Sequence, residues 1–296
     1  MDRKVQFFIT DVFAEDKYSG NQLATLLNFD SLSDDEMQQI TREIYFSETT
    51  FIMSDKPRNG GYDVRIFTPE QEIDFAGHPT LGTAFLIHKL YGPQTAQKVV
   101  LNLRVGQVEV SFPEEGSSDR TLWMQQIEPT FGDTLEAGDV IPVLNLNEED
   151  IDSRYPIEQV STGLPFIIVP LKTLDALKRT SIVREHHDKL IETTWGKIIL
   201  AFSPEGYEEQ HDLSVRVFPV AYGIPEDPAT GSGNGCLAAY LFKNRYFQSS
   251  EIDIRVGQGY EMRRPSVLCL RAREQDGHIK IFVGGKVILI AEGWWC

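Results

Sequence analysis

Three stretches of the chain set proton-transferring side chains beside short, stiff turns. In "DFAGHPTLGTAFLI", residues 74–87, His78 stands at the mouth of an apolar run that carries no charged side chain after Asp74. In "PEDPATGSG", residues 225–233, Glu226, Asp227, Thr230 and Ser232 share a proline-stiffened turn ahead of a second apolar run. A carboxylate in such a turn meets oriented donors. In "FSETTFI", residues 46–52, Ser47 and Glu48 precede a strand-like segment, and partial desolvation there would suit a glutamate to shuttling a proton.

The helix mouths supply the second half of that chemistry. Proline suits the first helical turn, so Pro79 predicts His78 as an N-cap; Ser232, a preferred N-cap type, takes the matching place before Gly233. Each start carries unpaired backbone N–H groups and the positive end of a helix dipole. Two such starts facing one another across a lobe interface are expected to form an anion-binding cleft for a small carboxylate, with the imidazole at its floor. A lone histidine in this position is more often a hydrogen-bonded cap than a catalyst; the acidic turn at 225–233 is what favours chemistry.

The rest of the chain bounds the reading. Its 296 residues are 41% hydrophobic, enough for one large domain or two ordinary ones with real cores. Forty-four acidic against 28 basic residues leave a net charge of −16, which repels nucleic acid and anionic lipid in the absence of a basic patch, and none is evident. The opening "MDRKVQFFITDVF" lacks a long apolar core and a cleavage site, and no later segment is long and apolar enough to span a bilayer as a helix. Cys236, Cys269 and Cys296 form no CxxC spacing and fit a reducing compartment. A cytoplasmic protein without nucleic-acid or membrane partners is expected.

An internal repeat organises the elements. "VRIFTP" at 64–69 returns as "VRVFPV" at 215–220, and "RVGQ" at 104–107 returns at 255–258, both offset by 151 positions. That period indicates a duplicated domain, since solenoid repeats are far shorter. Alternation and β-branched content predict strands at 5–12, 49–54, 62–67, 98–103, 107–112 and 121–127, then at 157–161, 165–170, 197–202, 214–218, 252–257 and 266–272. Residues 279–290 read as a hairpin broken at Gly284 and Gly285. An amphipathic helix begins at Ser33 with Glu36 closing a capping box, and another helical region spans roughly 180–192.

Segments 79–88 and 236–242 have no polar stripe and must be covered on every side. A curved sheet wrapped around a central helix provides that cover. The expected fold is α+β, with two similar pseudo-symmetric lobes: an N-terminal lobe over 1–118, a C-terminal lobe over 119–284, and a last strand, about 285–296, packing back onto the first. The seam is expected near 113–121, "PEEGSSDRT" in the run from Pro113.

Other site classes fit less well. "GSGNG" lacks the G-x-G-x-x-G register and any Walker lysine, and Thr230 stands where a nucleophile elbow around Ser232 needs glycine. His186, His187 and His211 have no zinc-motif spacing and read as surface residues.

The motifs "DVFAEDKYSGNQLAT", "FSETTFI", "RIFTPEQEIDFAGHPTLGTA" and "EDPATGSGNGCLAAYL", in this order over nearly the full length, resemble the phenazine-biosynthesis isomerase family, the PhzF-like proteins. That family shares the two-lobed fold of diaminopimelate epimerase and proline racemase. The racemase-like relatives use two thiols, one before each glycine-rich helix; the matching positions here are Ala76 and Thr230, which cannot do that chemistry. Cys236 lies inside the second helix and reads as structural.

The resemblance implies a carboxylate mechanism instead, with Glu48, His78 and Asp227 as catalytic residues. It implies Ser232, the amides of Gly77 and Gly233, and Gly231 and Asn21 as substrate-binding ones. Glu48 would carry a proton between two carbons of a cyclic dihydro-hydroxyanthranilate-like substrate, with no metal, flavin or nicotinamide required, in a homodimer. Where the family commonly reads Gly-Asn-Pro, Asn21 is followed by Gln22, a change in a turn expected to line the cleft. A non-catalytic carboxylate binder on the same scaffold is the alternative, and an amino-acid racemase a more distant one.

Overall fold

The structure, a computed structural model, describes residues 4–29, 32–92 and 96–296; Met1 to Arg3 of the opening segment lie outside them. The chain divides into two compact units, Met1–Gln125 with Gly284–Cys296, and Gln126–Val283. In chain order the strands are β1 (Val5–Val12), β2 (Asn21–Leu27), β3 (Thr49–Ile52), β4 (Tyr62–Phe67), β5 (Glu72–Ile73), β6 (Lys98–Leu103), β7 (Gly106–Ser111) and β8 (Leu122–Gln125). There follow β9 (Thr130–Leu135), β10 (Ile157–Ser161), β11 (Pro165–Pro170), β12 (Ile198–Ser203), β13 (Leu213–Phe218), β14 (Glu251–Gln258), β15 (Ser266–Gln275), β16 (His278–Gly285) and β17 (Val287–Trp295). The helices are α1 (Asp34–Ile44), α2 (Gly77–Tyr91), α3 (Ala137–Leu144), α4 (Leu174–Arg179), α5 (Arg184–Thr193) and α6 (Gly231–Lys243).

The first unit orders its strands β17-β1-β2-β3-β4-β6-β7-β8, antiparallel except for the β2–β3 and β4–β6 pairs. The second runs β9-β10-β11-β12-β13-β14-β15, antiparallel except for β11–β12 and β13–β14. Six successive pairs of the first unit, from β17–β1 to β6–β7, thus recur in the second with the same sense. In the first unit α2 packs against β1, β2, β3, β6, β7, β8 and β17; in the second α6 packs against β10, β11, β14 and β15. Sheet surrounds helix in both, as the missing polar stripes required.

These central helices are held by apolar burial and close approach. Leu81, Ala84, Leu86 and Ile87 of α2 are fully buried, as is the run from Cys236 to Leu241 of α6, and each large aliphatic side chain so placed contributes about 1.5–3 kcal/mol. Gly82 lets α2 reach the sheet: a Cβ there would stand 2.6 Å from Leu23 Cδ2 and 2.9 Å from Val12 Cγ2. Gly233 does the same for α6 against Phe166, at 2.8 Å.

The repeat aligns in detail through its strand registers. Arg65 of β4 bonds Glu72 through Nε (2.8 Å) and Nη2 (2.7 Å), and lies 5.1 Å over the Phe67 ring. Arg216 of β13 bonds Glu226 the same way (2.9 and 2.8 Å) and lies 5.0 Å over Phe218. Phe67 pairs with Glu72 and Ile66 with Ile73; in the second unit Val217 pairs with Asp227. Val217 stands 151 positions after Ile66, whereas Asp227 stands 154 after Ile73, because the connecting loop is longer. From there to the helix start the offset stays at 154. The "RVGQ" match at 151 is consequently not an equivalence: Arg104 and Val105 turn between β6 and β7, whereas Arg255 to Gln258 lie within β14.

Several local expectations are corrected. β2, "NQLATLL", is buried along most of its length and so shows no alternation; β9 is largely exposed, and α3 carries Pro142. Residues 279–290 are not a hairpin: the strand break falls at Lys286, and β17 pairs antiparallel with β1 from Val287 to Trp295. Gly284 serves close packing, its Cβ position lying 2.7 Å from the Trp123 ring. His187 and His211 are buried, not surface residues. The capping box at Ser33 and Glu36 is present, opening α1. No helix among the described residues is long and apolar enough to cross a membrane.

Candidate active-site residues

In the first unit the N-cap of α2 is Ala76, without a side-chain cap bond, and His78 is the second helical residue. The expected His78 cap is thereby corrected: the proline at 79 occupies the third position of the first turn, where its missing N–H still costs nothing. His78 is 5% exposed. Its Nε2 lies 3.4 Å from Glu48 Oε2, so the structure brings these two sequence-predicted residues together.

Glu48 is positioned from both sides of the chain. Helix α1 ends at Tyr45 in the left-handed region (φ 59°), which turns the backbone out of the helix, and β3 begins at Thr49, paired with Phe67 on one side and Ala24 on the other. A buried hydroxyl ladder sets α2 against β3. Thr83 of α2 donates to Thr50 Oγ1 (2.8 Å), and Thr50 and Thr25 share a further bond of 2.8 Å.

Burial pushes the His78 imidazole down to about 3, against a hydrogen bond to the Gln22 backbone that favours the protonated ring. A bond of that sign runs from a ring N–H to the carbonyl. The Glu48 carboxyl stands at 3.4 Å, longer than a charge-assisted bond, and burial keeps the ring neutral. Asn21, buried at the start of β2, immediately precedes the Gln22 that receives this bond.

In the second unit Asp227 is buried, its N–H bonds Val217 O at 3.0 Å, and its Oδ2 accepts the Thr230 hydroxyl. Thr230, not Ser232, is the N-cap of α6. Its backbone carbonyl accepts from Asn234 N (3.0 Å), which leaves the N–H groups of Gly231, Ser232 and Gly233 in the first turn. Glu226 is occupied by Arg216 and is structural. Ser232 and His78 hold equivalent places, the second residue of each central helix.

The duplication is broken at the carboxylates. Asp227 corresponds to Ile73. Glu48, next to Thr49 opposite Phe67, corresponds to Ile198, next to Ile199 opposite Phe218. Each unit has a carboxylate where the other has isoleucine, so the two halves cannot perform mirror-image steps. The thiol positions of racemase-like chemistry, Ala76 and Thr230, are the two N-caps. Cys236 is buried, with Sγ 3.6 Å from Thr162 Oγ1, and its thiol is pushed up to about 12.

A surface cleft in the first unit, lined by Met53, Arg65, Glu72 and Arg104, excludes Glu48 and His78, and its arginines are already engaged by carboxylates. Among the described residues no three His, Cys, Asp or Glu side chains gather as metal ligands. Sequence reasoning passed over Gln258, a fully buried β14 residue that bonds Asp227 and Thr230. Its signal was the "RVGQ" motif, read there only as a repeat.

A family model described as "Phenazine biosynthesis-like protein" matches residues 10–293. The chain is 32% identical over 290 residues to a trans-2,3-dihydro-3-hydroxyanthranilate isomerase of Pseudomonas aeruginosa, covering 97% of this chain and 98% of the relative. A Bacillus anthracis phenazine biosynthesis protein of the PhzF family superposes with a TM-score of 0.90 at 25% identity, covering 99% of both chains. A probable proline racemase from Agrobacterium radiobacter shares the fold alone, with a TM-score of 0.64 at 10% identity over 99% of this chain and 93% of the other.

Proposed function

The chain belongs to the phenazine biosynthesis-like family and is a PhzF-family isomerase, and from that premise we propose that it moves a proton between two carbons of a small cyclic carboxylate by carboxylate acid/base catalysis. The substrate class is that named for the Pseudomonas aeruginosa relative, a dihydro-hydroxyanthranilate. The observation that carries the reading is the 3.4 Å approach of Glu48 Oε2 to a buried, neutral His78.

In this reading the Glu48 carboxylate takes a proton from a saturated ring carbon, the electron pair shifts through the adjacent double bonds, and the same carboxyl returns the proton to a second ring carbon. No proton or electron is gained or lost, so carboxylate and imidazole chemistry suffices without a cofactor. His78, its one ring N–H committed to the Gln22 carbonyl, turns an unprotonated Nε2 toward Glu48 and can accept a hydrogen bond from the carboxyl once that carboxyl holds the substrate's proton. Asp227 orients the substrate. Ser232 and the first-turn amides of Gly77, Gly231 and Gly233 hold the substrate carboxylate and the charge that develops on it, with Asn21 contributing to binding.

Incubation with trans-2,3-dihydro-3-hydroxyanthranilate in heavy water tests the proposal. The wild-type protein is expected to incorporate solvent deuterium into product; Glu48→Gln is expected to lose at least about a hundredfold in kcat while binding the substrate with little change. Equal turnover in the two proteins would remove Glu48 from the reaction. A homodimer in the cytoplasm is the proposed working form, and light scattering on the purified chain reads its mass.

A further inference from the structure

Gln258 ends β14 with no exposed surface, and its side-chain amide uses its full bonding capacity on one turn. Nε2 donates to the backbone carbonyl of Asp227 (2.8 Å) and to Thr230 Oγ1 (3.0 Å). Oε1 accepts from the backbone N–H of Thr230 (3.2 Å) and from Asn234 Nδ2 (2.9 Å). Two of these partners are backbone groups whose donor or acceptor role is unambiguous, so the amide cannot be flipped.

That orientation decides where the Thr230 proton goes. Because Gln258 donates into Thr230 Oγ1, the hydroxyl hydrogen is free for another acceptor, and the one it meets is Asp227 Oδ2. We propose that Gln258 is a positioning residue which, through Thr230, holds the Asp227 carboxyl as a hydrogen-bond acceptor in one rotamer at the start of α6. A donor aimed at a carboxylate favours its ionised form. The same clamp ties Thr230, the N-cap, to Asn234, so it sets the first turn of α6 together with the carboxyl.

The inference rests on Asp227 acting in the isomerisation proposed above, and its test separates the two. Charged and titratable groups on the elements packed around this turn include Arg216, with Glu226 and Glu261 upon it, Tyr207, whose hydroxyl bonds Glu261, the buried His211, whose ring lies against Gly257, and Glu251, Asp253 and Arg255 of β14; the variants leave all of them unchanged.

Carbon-13 carboxyl titration of aspartate-labelled protein, with the Asp227 signal assigned by its loss in Asp227→Asn, reads the carboxyl without any need for turnover. Thr230→Val is expected to raise the Asp227 midpoint by about one pH unit, and Gln258→Met to raise it in the same direction. Thr230→Ser, which restores the hydroxyl, is expected to bring it back. A midpoint unchanged in folded Thr230→Val and Gln258→Met overturns the inference. The acidic limb of kcat/KM for trans-2,3-dihydro-3-hydroxyanthranilate is expected to move with the carboxyl. If the carboxyl moves and the limb does not, the positioning network stands and the catalytic reading of Asp227 fails.

Discussion

Oε2 of Glu48 lies 3.4 Å from Nε2 of His78, inside a unit whose duplicated partner has isoleucine at the glutamate's place and serine at the histidine's. The pair is therefore a specialisation laid on a symmetric scaffold. Its histidine also makes folding depend on pH.

Burial lowers the His78 pKa from 6.5 to about 3, so the folded state favours the neutral ring. The stabilisation this represents is complete above about pH 6.5 and is lost as pH falls toward 3. His78→Asn removes the group. In urea unfolding, wild type is expected to lose roughly 2–5 kcal/mol relative to the variant across that window; parallel pH dependences would show that the ring is not held neutral.

Thr50 joins α2 to β2 through hydroxyl bonds of 2.8 Å and stands two residues from Glu48. Thr50→Val keeps the shape but strands two buried hydroxyls, at a cost of about 1–3 kcal/mol. Turnover is expected to fall more than substrate affinity, because the Glu48–His78 distance loosens. Thr50→Ser, by restoring the bonds, is expected to recover kcat.

The two arginines of the repeat are unequal in burial. Arg216 and Glu226 are 9% and 15% exposed, whereas Arg65 and Glu72 are 24% and 17% exposed. Arg216→Met removes the more deeply buried arginine from Glu226 and is expected to cost about 3–5 kcal/mol by denaturant unfolding, with Arg65→Met costing less because its guanidinium is more exposed and Glu72 keeps Arg104 at 3.4 Å. The reverse ranking would contradict the burial argument.

Cys296 is exposed and Cys236 is buried with its thiol pushed up to about 12. Iodoacetamide on the native protein is expected to modify Cys296 and spare Cys236, as read by peptide mass spectrometry, with no loss of activity. Inactivation that tracks modification of Cys236 would restore a thiol mechanism.

Where a residue's neighbours are close in sequence, its role was legible. Serine and glutamate three apart predicted the start of α1, and the stripe-free segments predicted two enclosed helices. Strands with one covered face, such as β4 and β6, announced themselves by alternation. β2 did not, because a strand buried on both faces has no period to read. His78 and Ser232 were each taken for caps, but their helices start two residues earlier, at Ala76 and Thr230. Gly77 and Gly231 take the first helical position of each, although glycine is a weak helix former.

By itself the sequence determined the α+β class and the duplication, and the resemblance of its ordered motifs put Glu48, His78 and Asp227 forward as site residues, since hydrophobic period, turn chemistry and ordered motifs are local properties. Only the tertiary structure decided that the helix starts align at an offset of 154 and not 151, that Glu226 belongs to Arg216, and that Gln258 clamps the Asp227 turn. Those facts depend on strand register and on which buried donor meets which acceptor, and a hydrogen bond spanning 31 residues leaves no pattern along the chain.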